Sequence, residues 1–191
     1  IAGAAGRKAE VAAITEAAMR GEITDYKHSL RRRLALLRDV PVSALEEVYT
    51  NRLRLNPGVE AFVQACQDAG LKTLLVSGGF TFFTERVKAR LGLDEAHSNV
   101  LEIRDGRLTG RVVGAVFDAQ SKARAVRGAI AALGIDRAQA IVIGDGANDL
   151  PMMAEAGISV AFRAKPVVRA QATYALDHAG LDGVIALAGG Y

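Results

Sequence analysis

The chain has a single cysteine and no tryptophan, and its aromatic content is only 5%. One thiol, Cys66, excludes an internal disulfide framework and a thiolate zinc site. It reads as a small buried helix residue, with a reducing cytoplasm as the expected compartment. So few aromatics exclude the stacking platforms of single-stranded nucleic-acid binders. No apolar run approaches the ~18 residues of a membrane span, and no signal-peptide pattern opens the chain. The three histidines, His28, His97 and His178, have no metal-ligand spacing and read as surface or packing residues. Charge of one sign is lacking too. Lysine and arginine total 24 against 21 acids, a net charge of +3. That mild excess suits an anionic substrate without demanding nucleic acid.

Half of the 191 residues are hydrophobic, enough for one domain, or one domain with a lid, around an aliphatic core. Residues 1–55 read as helical. "KAEVAAITEAAMRG" holds strong helix formers and stops at Gly21. Tyr26, Leu30, Leu34 and Leu37 share one helical face. "PVSALEEVYTNRLRL" offers Ser43 as a cap with Glu46 three residues on. After Asn56-Pro57-Gly58 the pattern changes to strands alternating with helices, which predicts a parallel sheet covered on both faces. "RDGR" inside the alternating run 98–117 is a hairpin signal. "KPVVRAQATYAL" and "LDGVIALAGG" read as short helical or loop elements.

In such a sheet, chemistry gathers beyond the carboxyl ends of the strands. Two apolar runs end in small polar residues, "LLVSGG" and "IVIGDG". Asp145 and Asp149 in "GDGANDLPMM" place two carboxylates four residues apart. They suit a hard divalent cation shared with a phosphate, or else a turn and a helix start. Ser77, with Gly78 and the helix that follows, suits a phosphate oxygen, or a helix cap. Lys122 opens a helix, where a cation is electrostatically misplaced unless an anion lies near.

Ser77, Lys122 and Asp-x-x-x-Asp, in that order, resemble the second, third and fourth motifs of the haloacid dehalogenase superfamily of phosphatases. "VAAITEAAMRGE", "SLRRRLALL", "RLRLNPG", "LLVSGGFTFF" and "IGDGANDLPMM" narrow the resemblance to its phosphoserine phosphatase family. This implies an α/β, Rossmann-like core with a parallel sheet (residues 56–191) and a small helical cap (1–55). It implies Mg²⁺-dependent hydrolysis of O-phospho-L-serine through a phosphoaspartyl intermediate, in the cytoplasm. Carried across, Ser77 and Gly78 hold phosphate oxygens and Lys122 neutralises the transferring group. Asp145 and Asp149 serve the metal, and Asn148 reaches phosphate or amino acid. Arg33 binds the serine carboxylate, while Met19 and Tyr26, the latter in place of a family Phe, wall the pocket. The expected partner is a small phosphomonoester, with a homodimer as the candidate assembly and neither nucleic acid nor membrane involved. Phosphohomoserine or another small phosphomonoester is the neighbouring alternative, and a non-catalytic phosphate-binding module the remote one. The family's first motif, Asp-x-Asp-x-Thr, which supplies the nucleophile, is missing from these residues. The opening lacks Met and starts mid-pattern, so the chain is expected to begin just downstream of that motif and to be inactive alone.

Overall fold

The computed structural model describes residues 1–3, 6–19 and 25–188. Four helices come first: α1 (Lys8–Met19), α2 (Tyr26–Ala35), α3 (Val42–Asn51) and α4 (Val59–Asp68). Next come β1 (Leu74–Phe80), α5 (Thr81–Leu91), the pair β2 (Glu95–Arg104) and β3 (Arg107–Val113), and the long α6 (Ala119–Leu133). Then β4 (Ile141–Gly144), α7 (Leu150–Met153), β5 (Ile158–Phe162), α8 (Pro166–Arg169), β6 (Tyr174–Leu176) and α9 (Gly183–Ala188) complete the order. The chain is α/β, as its alternation of periods predicts. None of the described helices is long and apolar enough to cross a membrane.

The strands form two three-stranded sheets, β1-β2-β3 and β4-β5-β6. All pairs are parallel except β2 with β3, the hairpin that "RDGR" announces. Its two-residue turn places Asp105 and Gly106 at φ 51° and 71°, the left-handed pair that matches strand twist. β6 lies in the segment read as helical or loop; pairing with β5, not local propensity, makes it a strand. Ser43 does not cap α3. The helix starts at Val42 with Pro41 as its N-cap, so Ser43 lies within the first turn and no side chain caps the end.

Two apolar clusters organise the packing. The first joins Leu30, Leu34, Leu37, Val40, Ala44 and Leu45 of the helical part to Leu101, Leu108 and Val116. It crosses the boundary expected at residue 55, since the hairpin supplies the floor of the helical layer. The loop before α3 adds to β3 like a short strand: the Asp39 N–H donates to the Leu108 carbonyl at 2.8 Å, and the Leu108 N–H donates to the Val40 carbonyl at 2.9 Å. The second cluster gathers Ala123, Val126, Val142, Met152, Met153, Ala156, Ala161 and Val168, with Leu74 and Val76 against it. Each large aliphatic side chain buried here contributes about 1.5–3 kcal/mol. Cys66 is buried on α4, and burial pushes its thiol pKa up.

The starts of β1 and β2 are tied by Asp94. Its carboxylate accepts from Lys72 Nζ at 2.8 Å, and from the Thr73 N–H and hydroxyl at 2.9 and 2.8 Å. Lys72 first, then Thr73, bring its pKa down to about 2. Its unfolded value is about 3.9. This stabilisation is therefore complete above about pH 4 and lost as pH falls through 2. Because the pair is solvent-screened, Asp94→Asn is expected to cost about 1 kcal/mol or less at neutral pH. The melting difference from wild type should disappear near pH 2, as thermal scans across this range will show.

Candidate phosphoryl and cation site

The strand β4 ends at Gly144, and the chain turns at once through Asp145 and Gly146 into a 3₁₀ turn over residues 147–149. Gly144 is required by close approach: an added Cβ would lie 2.7 Å from the Cβ of Asp149. Asp149 is 4% exposed and Lys122 6%. Lys122 Nζ donates to Asp149 Oδ1 at 2.7 Å. Asp149 Oδ2 accepts from the N–H groups of Asp145 and Gly146 at 3.0 and 3.2 Å. The cation that the helix dipole disfavours at the start of α6 thus has its anion, 27 residues on in sequence.

These bonds set the two acids apart. Burial opposes ionisation of Asp149, but Lys122 and the two backbone N–H groups outweigh it and hold its pKa below the carboxylate range. Asp145, at the exposed lip of the strand end, is pushed the other way. Partial desolvation and the neighbouring Asp149 raise its pKa against the pull of Lys122. Asp145 is therefore the under-compensated charge of the pair. Among the described residues no group of three or more Asp, Glu, His or Cys side chains gathers into a metal cage.

Ser77 and Gly78 lie midway along β1, between Val76 and Phe80. The Ser77 hydroxyl accepts from the Gly79 N–H at 3.0 Å, which fixes its oxygen and leaves its own proton for a ligand. Asp118 starts α6 as its N-cap, accepting from the Ser121 N–H and hydroxyl at 2.9 Å each. It also meets Lys27 Nζ of α2 at 3.2 Å. Partial burial opposes ionisation of Asp118, but Ser121 and Lys27 bring its pKa down to about 2.

A cavity of about 210 Å³ opens between these elements, lined by Tyr26, Gly78, Phe117, Asp118, Ala119, Gln120, Lys122 and Asn148. Four residues singled out in the sequence, Tyr26, Gly78, Lys122 and Asn148, therefore share one small pocket. Ser77 adjoins it through Gly78, and Asp145 and Asp149 through Lys122 and Asn148. A Cβ on Gly78 would lie 2.9 Å from the Tyr26 hydroxyl, so glycine lets the helical layer close down. Arg33 does not line the cavity. It is half-buried on α2, unlike exposed Arg31 and Arg32, and its Nε donates to the Ser29 carbonyl at 3.4 Å. Its charge is near enough to act on the Tyr26 phenol, whose pKa burial raises and Arg33 pulls back. Met19 ends α1, and its side chain lies outside the described residues.

Sequence reasoning passed over Asp118, which joins α6 to the helical layer. Its signal was available: an Asp three residues before Ser121 at a helix start is a cap pattern. It also passed over Asn99, whose polar bonds depend on strand register and have no local signature.

The sequence profile of the haloacid dehalogenase-like hydrolases matches residues 2–154. A phosphoserine phosphatase of Polaromonas sp. is 61% identical, over 98% of this chain and 81% of its own. That of Albidiferax ferrireducens is 56% identical with the same coverage. The structure of a probable phosphoserine phosphatase from Vibrio cholerae superposes with a TM-score of 0.91 at 43% identity, covering 98% of this chain and 58% of that one. A substrate-bound phosphoserine phosphatase complex gives a TM-score of 0.89 at 34% identity, over 97% and 88%.

The geometry makes Lys122 and Asp149 interdependent. Lys122→Met should destabilise the fold by about 3–5 kcal/mol, because it strands a buried carboxylate. Adding Asp149→Leu should recover part of that, and not all, since the N–H groups of Asp145 and Gly146 then lose their acceptor. Chemical denaturation of the single and double variants measures both.

Proposed function

The chain belongs to the haloacid dehalogenase-like hydrolases, and we propose that it carries the phosphoryl- and cation-binding machinery of a phosphatase acting on O-phospho-L-serine. One observation carries this reading. The second half of β1, the start of α6 and the turn after β4 present Gly78, Lys122 and Asn148 to a single small cavity. The names of the relatives, phosphoserine phosphatase in both curated cases, fix the substrate class.

Each group then has a physical task. The Ser77 hydroxyl and the backbone beside Gly78 donate to phosphoryl oxygens. Lys122 offsets charge on the transferring group while remaining anchored to Asp149. Such donors act by preorganisation: they are already aimed and desolvated when charge develops. Asn148 supplies an amide at the cavity wall. Arg33, selected from three consecutive arginines by its half-buried place near Tyr26, meets the substrate carboxylate with its planar fork.

The donor set fits Mg²⁺ in a limited way. Asp145 is a hard oxygen ligand whose charge is under-compensated, and a divalent cation relieves that. Asp149 has both oxygens engaged by protein donors, so it positions the Asp145 turn and leaves direct ligation to its neighbour. Mg²⁺ retains waters and shares phosphate oxygens with few carboxylates. When bound, the ion neutralises phosphoryl charge. The helical layer over residues 25–55 acts as the lid, with Tyr26 and Lys27 reaching the core.

The attacking carboxylate is not among these residues, because no Asp-x-Asp pair occurs in the sequence. Positioning and charge stabilisation supply no nucleophile. A polypeptide of these residues alone is therefore expected to show no phosphoserine turnover with Mg²⁺. The protein that includes an Asp-x-Asp-x-Thr segment is expected to show turnover that chelation abolishes. In that protein, Arg33→Ala should lower kcat/KM for phosphoserine about 10–100-fold, the worth of a charged hydrogen bond. Its effect on an aryl phosphate, which lacks a carboxylate, should be several-fold smaller. Steady-state assays with both substrates decide this, and equal losses would remove the carboxylate role.

A further inference from the structure

The register between β1 and β2 breaks at the site. Val76 pairs with His97, but the next pair is Phe80 with Asn99. Residues 77–79 therefore stand opposite Ser98 alone and bulge from the ladder, which leaves carbonyls without strand partners. Asn99 takes them up. Its Nδ2 donates to the carbonyls of Gly78 and Gly79 at 3.0 and 3.3 Å. Its Oδ1 accepts from the N–H of Phe117 at 2.7 Å. The side chain is buried, with the residue 2% exposed. The amide has one workable orientation, because the reverse would set its oxygen against two carbonyl oxygens.

Phe117 directly precedes Asp118, the cap of α6. One buried amide thus spans the two segments that bring Gly78 and Lys122 to the cavity. Among the described residues no other hydrogen bond joins residues 77–79 to residues 116–119. We propose that Asn99 is a positioning residue, which holds the phosphoryl-binding bulge of β1 and the start of α6 in one fixed relation. It touches no reacting atom; it sets the distance between the donors at Ser77 and Gly78 and the ammonium of Lys122. The proposal rests on the phosphatase reading above for the identity of the ligand.

Asn99→Asp in the protein that includes the nucleophile segment tests it, because the two side chains match in size. Ionised, the acid keeps the bond from Phe117 but turns an oxygen toward the Gly78 and Gly79 carbonyls. Protonated, it regains a donor for them. Burial raises the pKa of such a carboxyl, so it is neutral in mildly acidic solution. The charged groups on the adjoining segment are Asp118, engaged by Ser121 and Lys27, and Lys122, engaged by Asp149. Wild type and variant share those titrations, so their ratio cancels them. The expected result is a kcat/KM for phosphoserine about 100-fold below wild type near pH 8. The deficit should shrink at least about fivefold near pH 5.5, as the acid protonates.

A ratio that stays constant between the two pH values, whatever its size, overturns the proposal. Amide NMR gives a readout independent of turnover. In the variant, the Gly79 and Phe117 N–H signals should titrate together with one midpoint, and separate midpoints overturn the coupling. If wild type does not hydrolyse phosphoserine, the functional reading fails while the NMR titration still judges Asn99. If the variant is unfolded near pH 8, recovery of its circular dichroism on acidification supports the same donor requirement. Failure to fold at either pH assigns Asn99 to folding alone and overturns it.

Discussion

The site depends on one buried ion pair. Lys122 and Asp149 are both nearly inaccessible, and neither charge would be tolerable there without the other. Their contact at 2.7 Å joins α6 to the turn after β4, two elements that the backbone alone would leave separate. It also divides labour between the acids. With one oxygen on Lys122 and the other on two backbone N–H groups, both oxygens of Asp149 are engaged by protein donors, and Asp145 is left as the exposed carboxylate. The same pair explains a cation in the first turns of α6, where the helix dipole opposes it. A carboxylate 2.7 Å away outweighs a dipole effect of about 0.3–1 kcal/mol.

The site also lies where two apolar clusters meet. Leu74 and Val76 at the start of β1 pack on the second cluster, whereas Phe80 at its end packs on the first. Between them lies the bulge of Ser77, Gly78 and Gly79. The segment leading into α6 crosses in the opposite direction, from Val116 in the first cluster to Ala123 and Val126 in the second. Between them lie Asp118 and Lys122. Both chains are anchored in hydrocarbon on either side of the polar stretch they present. Functional groups held this way lose little when a ligand binds, because their backbone is already ordered.

The repeating elements of the fold were legible because they follow period. The alternation of strands and helices and the "RDGR" hairpin are local signals, and the structure follows them. β6 was not legible, since three residues gain strand form only by pairing with β5. Of the site, spacing exposed Asp145, Asp149, Ser77 and Lys122 as groups of interest. It could not say that Lys122 faces Asp149 and not solvent, because 27 residues of intervening chain carry no distance. Arg33 could be told from Arg31 and Arg32 only by which face of α2 is covered. Asn99 is the extreme case: in sequence it is one polar residue in an alternating strand. Its partners exist because four residues of β1 span two of β2.

The contacts that Tyr26 and Lys27 make with the core differ in kind from those inside the site. Lys27 and Asp118 meet at 3.2 Å with Lys27 about half exposed, and such a pair is worth at most about 1 kcal/mol in water. The Tyr26 hydroxyl lies where a Cβ on Gly78 would meet it at 2.9 Å, but the residue remains 38% exposed. The Lys122–Asp149 bond and the amide bridge of Asn99 are buried, where an unmet partner costs several times more. Separating the layer from the core at Tyr26 and Lys27 therefore costs far less than disturbing the groups beneath it. Asp118 lies on the boundary between the two regimes. One of its oxygens caps α6, and the other receives Lys27. Releasing Lys27 leaves the N-cap bonds of α6 intact, so parting this contact does not loosen the helix that carries Lys122.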